Sequence, residues 1–98
     1  MARVIWAPKA LADLEALLDY IGRDAPASAS RFGEKILARV DSLAEFPDSG
    51  SFVPEDETHT YREVFQGNYR IIFRSEKNLV FVVAIHHGAR LLQTDRLN

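Results

Sequence analysis

Ninety-eight residues, 47% of them apolar, suffice for one hydrophobic core and are too few for two domains, so a single domain over residues 1–98 is expected. The formal net charge of −2, with 12 Lys and Arg against 14 Asp and Glu, excludes a strongly basic nucleic-acid binder, and any contact with RNA has to come from a local patch. The absence of cysteine excludes disulfides, a thiolate nucleophile and cysteine-ligated zinc, and it fits a reducing compartment such as the cytoplasm.

Arg3 to Trp6 is rich in β-branched and aromatic residues and reads as an opening strand closed by Pro8. Pro8 and Lys9 break this apolar run so early that neither a signal peptide nor a membrane span is predicted. From Lys9 onward Leu11, Leu14, Leu17, Leu18 and Ile21 recur at helical spacing, and Gly22 suits the C′ position of that helix. Asp13, Glu15 and Asp19 lie between the leucines and read as a solvated polar face rather than an acid–base pair. Asp24 and Pro26 signal a second helix, with Ala29, Phe32, Ile36, Val40 and Leu43 along one side and Pro47 as its stop. The short link between the helices predicts an antiparallel helical hairpin with a shared apolar face.

Asp48 to Thr60 has no periodicity and reads as a surface loop, free to move when a partner binds and carrying His59 exposed. Three strands follow, Tyr61–Gln66, Tyr69–Ser75 and Leu79–His86, separated by Gly67–Asn68 and by Glu76–Lys77–Asn78, which predicts an antiparallel meander. Gln93 to Asn98 reads as a polar tail.

A two-residue turn at Gly67–Asn68 sets Phe65 opposite Arg70 and Val64 opposite Ile71. Val64, Tyr69, Ile71 and Phe73 then face the helices, with Arg62 falling on that apolar side, while Tyr61, Glu63, Arg70, Ile72 and Arg74 share the outer face. A three-residue turn at Glu76–Asn78 adds Leu79, Phe81, Val83 and Ile85 to the core face and Val80, Val82, Ala84 and His86 to the outer one. A slip of one residue would exchange His86 for His87, so both stay candidates. The expected outcome is a half-apolar outer face bearing Arg70 and Arg74, joined by a histidine and Arg90, able to bind a phosphate or a carboxylate. The plainer alternative pairs these arginines with Glu63 and neighbouring acids at the surface. No credible metal-ligand spacing, nucleotide fingerprint or Ser-His-Asp order is present, and no metal or organic cofactor is expected.

The ordered segments Leu17–Ile21, Asp24–Pro26, Leu43–Pro47, Tyr61–Val64, Gly67–Arg74 (Gly-Asn-Tyr-Arg-Ile-Ile-Phe-Arg) and Ala84–Arg90 (Ala-Ile-His-His-Gly-Ala-Arg) resemble the ParE-type toxins of the type II toxin–antitoxin ParE/RelE superfamily over almost the whole chain. The resemblance implies an α+β fold, an N-terminal strand and antiparallel helical hairpin packed on a twisted antiparallel sheet. It also implies growth inhibition, a part in plasmid stabilization and a cognate antitoxin protein as partner. ParE-type members poison DNA gyrase, whereas RelE-type members cut mRNA on the ribosome, and the shared fold does not choose between them. Carried across by motif, Arg62, Arg70, Arg74 and Arg90 become phosphate- or target-binding candidates, and Arg70 with His87 or His86 the catalytic candidates of a nuclease.

Such a nuclease needs a base for the ribose 2′-hydroxyl, a cation for the phosphorane-like state and an acid for the leaving oxygen. Lys9, Lys35 and Lys77 are scattered, and Leu91 and Leu92 follow the histidine segment where RelE-like enzymes have a tyrosine. The leading expectation is therefore a ParE-like inhibitor of DNA gyrase. A ribosome-dependent mRNA endoribonuclease and a non-toxic antitoxin-binding relic are the alternatives. Ile72, Val80 and Val82, expected on an exposed apolar face, are the candidate antitoxin-binding residues.

Overall fold

The computed structural model describes residues 1–97; Asn98 lies outside the described residues. The chain runs β1 (Arg3–Trp6), α1 (Pro8–Gly22), α2 (Pro26–Glu45), β2 (Ser51–Phe52), β3 (Arg62–Gln66), β4 (Tyr69–Glu76) and β5 (Leu79–His87), then a 3-10 turn at Thr94–Arg96. The two helices form the expected hairpin on one side of a five-stranded sheet of order β1-β5-β4-β3-β2. Its β3–β4–β5 part is the expected antiparallel meander, and β1 joins β5 in parallel, which makes the sheet mixed.

Proline opens both helices, at Pro8 and Pro26, where a missing N–H costs nothing. Asp24 supplies no cap, since Ala25 holds the N-cap position without a side-chain hydrogen bond. Gly22 is the last residue of α1, and Arg23 after it stays right-handed, so no left-handed C′ glycine ends the helix. The core between helices and sheet is built on Leu17, Ile36 and Leu43 against Ile71, Phe73 and Val82. Phe73 is fully buried there.

The β3–β4 register is the expected one, with Phe65 opposite Arg70, and Gly67 takes the positive φ of 59° that its turn needs. The β4–β5 turn differs from expectation. Glu76 pairs with Leu79, so only Lys77 and Asn78 turn, with Lys77 at φ 54°. This one-residue change reverses the expected faces at the start of β5. Val80 and Val82 pack under the helices, while Phe81 and Val83 face outward. A bulge then corrects the parity, because Ile72 pairs with Ala84 but Phe73 with Val82, leaving Val83 unmatched. From Ala84 onward the faces are those expected, and His86 lies opposite Arg70.

The outer sheet face is covered too. Val53, Tyr61, Leu92 and Leu97 pack on Ile72, Val83 and Ala84 as a second core. The segment read as a loose loop is therefore structural: Ser51 and Phe52 pair with Glu63 and Arg62, and Val53 is buried. Buried Asp56 accepts backbone N–H groups of Thr58, Thr60 and Tyr61 at 3.1, 2.9 and 2.9 Å. Burial pushes its carboxyl up, yet these bonds and that of the Thr58 hydroxyl outweigh it and hold the group below the usual aspartate range. The expected polar tail is likewise anchored by Leu92 and Leu97. Among the described residues no helix is long and apolar enough to cross a membrane.

Candidate functional site

Arg70, the second residue of the central strand β4, lies on the outer face beside the β3–β4 turn and is 4% exposed. Its Nη1 and Nη2 donate to Glu55 Oε1 and Oε2 at 2.9 and 2.8 Å, a bidentate fork, and Nη1 also donates to Glu63 Oε1 at 2.9 Å. Nη2 donates further to the Arg90 carbonyl at 3.0 Å, and the Leu92 N–H donates to Glu55 Oε2 at 2.9 Å. The Arg70 hydrogen bonds hold the Glu55 carboxyl down at about 2, against 4.5 for an ordinary glutamate, and burial opposes them only in part. The Glu55 hydrogen bonds in turn hold the Arg70 guanidinium above its usual range. Arg70 thus has no terminal donor turned to solvent, and a phosphate would have to displace two carboxylates. The Glu63 pairing matches the plainer sequence alternative, but the group is buried rather than solvated. Glu55 gave no sequence signal because it belongs to the aperiodic segment.

Arg90 and His86 adjoin Arg70, the first through its carbonyl, whereas Arg62 and Arg74 lie apart. Arg62 lies 4.3 Å above the Phe52 ring, which itself stacks on His59 at 4.7 Å. Arg74 pairs with Glu76 at 2.6 Å and covers the Phe81 ring at 4.1 Å, roughly 13 Å along β4 from Arg70. Ile72, Val80 and Val82 are completely buried, so the expectation of an exposed apolar face at these positions is not met. Val80 and Val82 were displaced by the shorter turn, and Ile72 by the cover of Val53 and Leu92.

What the structure does bring together is a cleft of about 560 Å³ where α1 passes the end of β5. Asp13, Leu17 and Tyr20 form its helical wall, at spacings that place them on one face; Tyr69, His86, His87 and Arg90 form the opposite wall. Asp13 is not a free surface carboxylate. Beyond Val82 the strand β5 has lost its β1 neighbour, and Asp13 Oδ2 replaces it by accepting the Ile85 N–H at 3.0 Å, with Lys9 Nζ at 2.7 Å. The role was missed because helical spacing alone cannot show which strand end a helix crosses.

The histidines point to opposite faces. His86 Nε2 donates to the Arg90 carbonyl at 3.2 Å, and His87, on the helix side, meets Tyr69 edge-on at 5.2 Å and accepts the Ala89 N–H on Nδ1 at 3.1 Å. Arg90 is exposed, and among the described residues its guanidinium has no hydrogen bond or ion pair. Its carbonyl, held by both Arg70 and His86, fixes the backbone from which the side chain projects. The arrangement can bind an anion at one free guanidinium. The same donors and acceptors are not assembled into a phosphate clamp with an acid and a base.

A profile of the ParE toxin of the type II toxin–antitoxin system parDE matches residues 4–92. Toxin RelE2 of Caulobacter vibrioides (strain ATCC 19089 / CIP 103742 / CB 15) is 42% identical over 92 residues, covering 93% of this chain and 100% of the relative. In structure, the chain is similar to the chromosomal ParDE system from P. aeruginosa, with a TM-score of 0.75 at 23% identity, over 89% of this chain and 96% of that one. Two helices on a five-stranded sheet are the shared fold, and with the profile and the relative they place this chain in the ParE toxin family of type II toxin–antitoxin systems.

Proposed function

We propose that this toxin acts in the cytoplasm on a protein target, DNA gyrase, and arrests growth when its antitoxin is absent. The observation that carries the reading is Arg70, closed by Glu55 and Glu63. An mRNA-cleaving site needs that cation facing the scissile phosphate, and here it is spent inside the fold. His86 and His87 each commit one ring nitrogen to a backbone group. A net charge of −2 adds little attraction for RNA. A mechanism through protein contact needs none of these parts.

Membership of a toxin–antitoxin family implies a cognate antitoxin, and the exposed Leu11, Tyr20 and Leu37 of the helical hairpin suit an apolar partner segment. The test is a gyrase supercoiling assay beside an mRNA cleavage assay on programmed ribosomes, using one antitoxin-free preparation. Inhibited gyrase with intact mRNA is the expected result. Cleaved mRNA with active gyrase would select the endoribonuclease reading, which the name of the relative Toxin RelE2 favours. Arrest of neither process, with no growth defect on expression, would select the antitoxin-binding relic.

A further inference from the structure

We infer that the cleft between α1 and the end of β5 is an antitoxin subsite that takes an Asp or Glu side chain, gripped by Arg90. The inference rests on the toxin–antitoxin reading for its partner and is independent of the target. Arg90 is an arginine held at its backbone and, among the described residues, unpaired at its guanidinium. A free fork of this kind matches a planar carboxylate with two parallel hydrogen bonds. Leu17 and Ile85 supply apolar wall for a side-chain stem, and Tyr20, 68% exposed, stands at the rim. The volume falls in the range of sites that enclose small groups.

Charge chooses the occupant. Asp13 lines the cleft, and although Lys9 pairs with it, its field opposes a polyanion such as RNA more than a single carboxylate. The cation count also falls short of a phosphate site, because Arg70 is closed and Arg62 and Arg74 lie elsewhere, each over an aromatic ring. One free guanidinium beside tyrosine and histidine edges is the complement of an acidic side chain on a peptide. The antitoxin is the protein partner that family membership requires, so the carboxylate is assigned to it.

The test uses the full chain labelled for NMR and blocked Leu-Glu-Leu peptide as the probe, with Leu-Gln-Leu, inorganic phosphate and an RNA hexanucleotide as comparators. Saturable shifts at the Arg90 Nε–H, the histidine rings and Tyr20 are expected with Leu-Glu-Leu, and at least tenfold weaker binding with Leu-Gln-Leu. Arg90→Gln should weaken the peptide at least tenfold, whereas Lys77→Asn, an equal loss of charge at the far end of the β4–β5 hairpin, should leave it unchanged. Binding of the Gln peptide or of RNA as tightly as the Glu peptide, or no saturable shift with any probe, would overturn the proposal. In the preformed toxin–antitoxin complex the peptide should be excluded; a peptide that still enters the cleft would overturn the antitoxin as its occupant. Gyrase activity enters none of these readouts, so failure of the target reading is seen separately in the supercoiling assay.

Discussion

Replacing Arg70 with Met tests whether this residue is structural or ligand-binding. The substitution keeps an unbranched apolar stem and removes the guanidinium, so Glu55 and Glu63 lose their shared cation while Glu63 stays 6% exposed. Breaking a buried ion network from one side costs about 3–5 kcal/mol, because the remaining charge is uncompensated. A domain of this size has a total of roughly 5–15 kcal/mol to lose. Trp6, the lone tryptophan, sits in β1 beside the core and reports unfolding by fluorescence. With a urea m-value of about 1–3 kcal/mol/M, the midpoint should fall by at least ~1 M. Adding Glu55→Gln and Glu63→Gln to Arg70→Met should recover most of that loss, since no buried charge is then left alone. An Arg70→Met protein within about 0.5 kcal/mol of the parent, and yet without toxicity, would refute the reasoning and return Arg70 to the site.

Acid should loosen the same network. The Glu55 carboxyl is depressed from 4.5 to about 2, so its stabilisation is complete above pH 4.5 and is lost as pH falls toward 2. The ceiling is on the order of 3 kcal/mol, reduced by solvent screening of the partly exposed carboxylate, and Glu55→Gln should flatten the melting temperature across that window. Gly50→Ala should cost at least about 1–3 kcal/mol, because Gly50 has φ 80° and an added Cβ would overlap the Glu63 carbonyl oxygen. Thermal unfolding measures the cost, and faster hydrogen exchange at the Val53 N–H, bonded to the Tyr61 carbonyl at 3.0 Å, would locate it at the β2 end. Asp13→Ala should cost about 1–3 kcal/mol by orphaning the Ile85 N–H, whereas Asp13→Asn keeps an acceptor and loses only the Lys9 pair, worth under ~1 kcal/mol. Equal losses for the two variants in urea denaturation would show that Asp13 acts through its charge alone.

The helices and the meander were legible because their signals are periodic and local. Leu14, Leu17 and Ile21, and the Gly67 turn, each specify their surroundings within a few residues. The faces of β5 were not legible beyond the first turn. Lys77 adopts a positive φ that its chemistry does not advertise, and the bulge at Val83 carries neither glycine nor proline. These two departures cancel, so Ala84 and Ile85 keep the faces expected of them, and of the two histidine candidates His86 is the one opposite Arg70. Long-range pairing was the larger gap: Glu55 meets Arg70 across 15 residues, and Asp13 meets Ile85 across 72.

That gap bears on how a motif becomes a mechanism. Gly-Asn-Tyr-Arg fixes where Arg70 sits, because its turn sets the register and the register sets the face. It does not fix what Arg70 touches. A guanidinium aimed at the outer sheet face is a phosphate ligand if that face is open, and an internal tie if a carboxylate arrives first. Here Glu55 arrives on a segment whose own fold depends on Val53 and Asp56, and the tie in turn holds the Arg90 carbonyl and, through Glu55, the Leu92 N–H. Arg90, just after β5, is exposed, and among the described residues its guanidinium has no hydrogen bond or ion pair. Two carboxylates, Glu55 on the covering segment and Glu63 on β3, are what make Arg70 an internal tie rather than a cation open to a ligand.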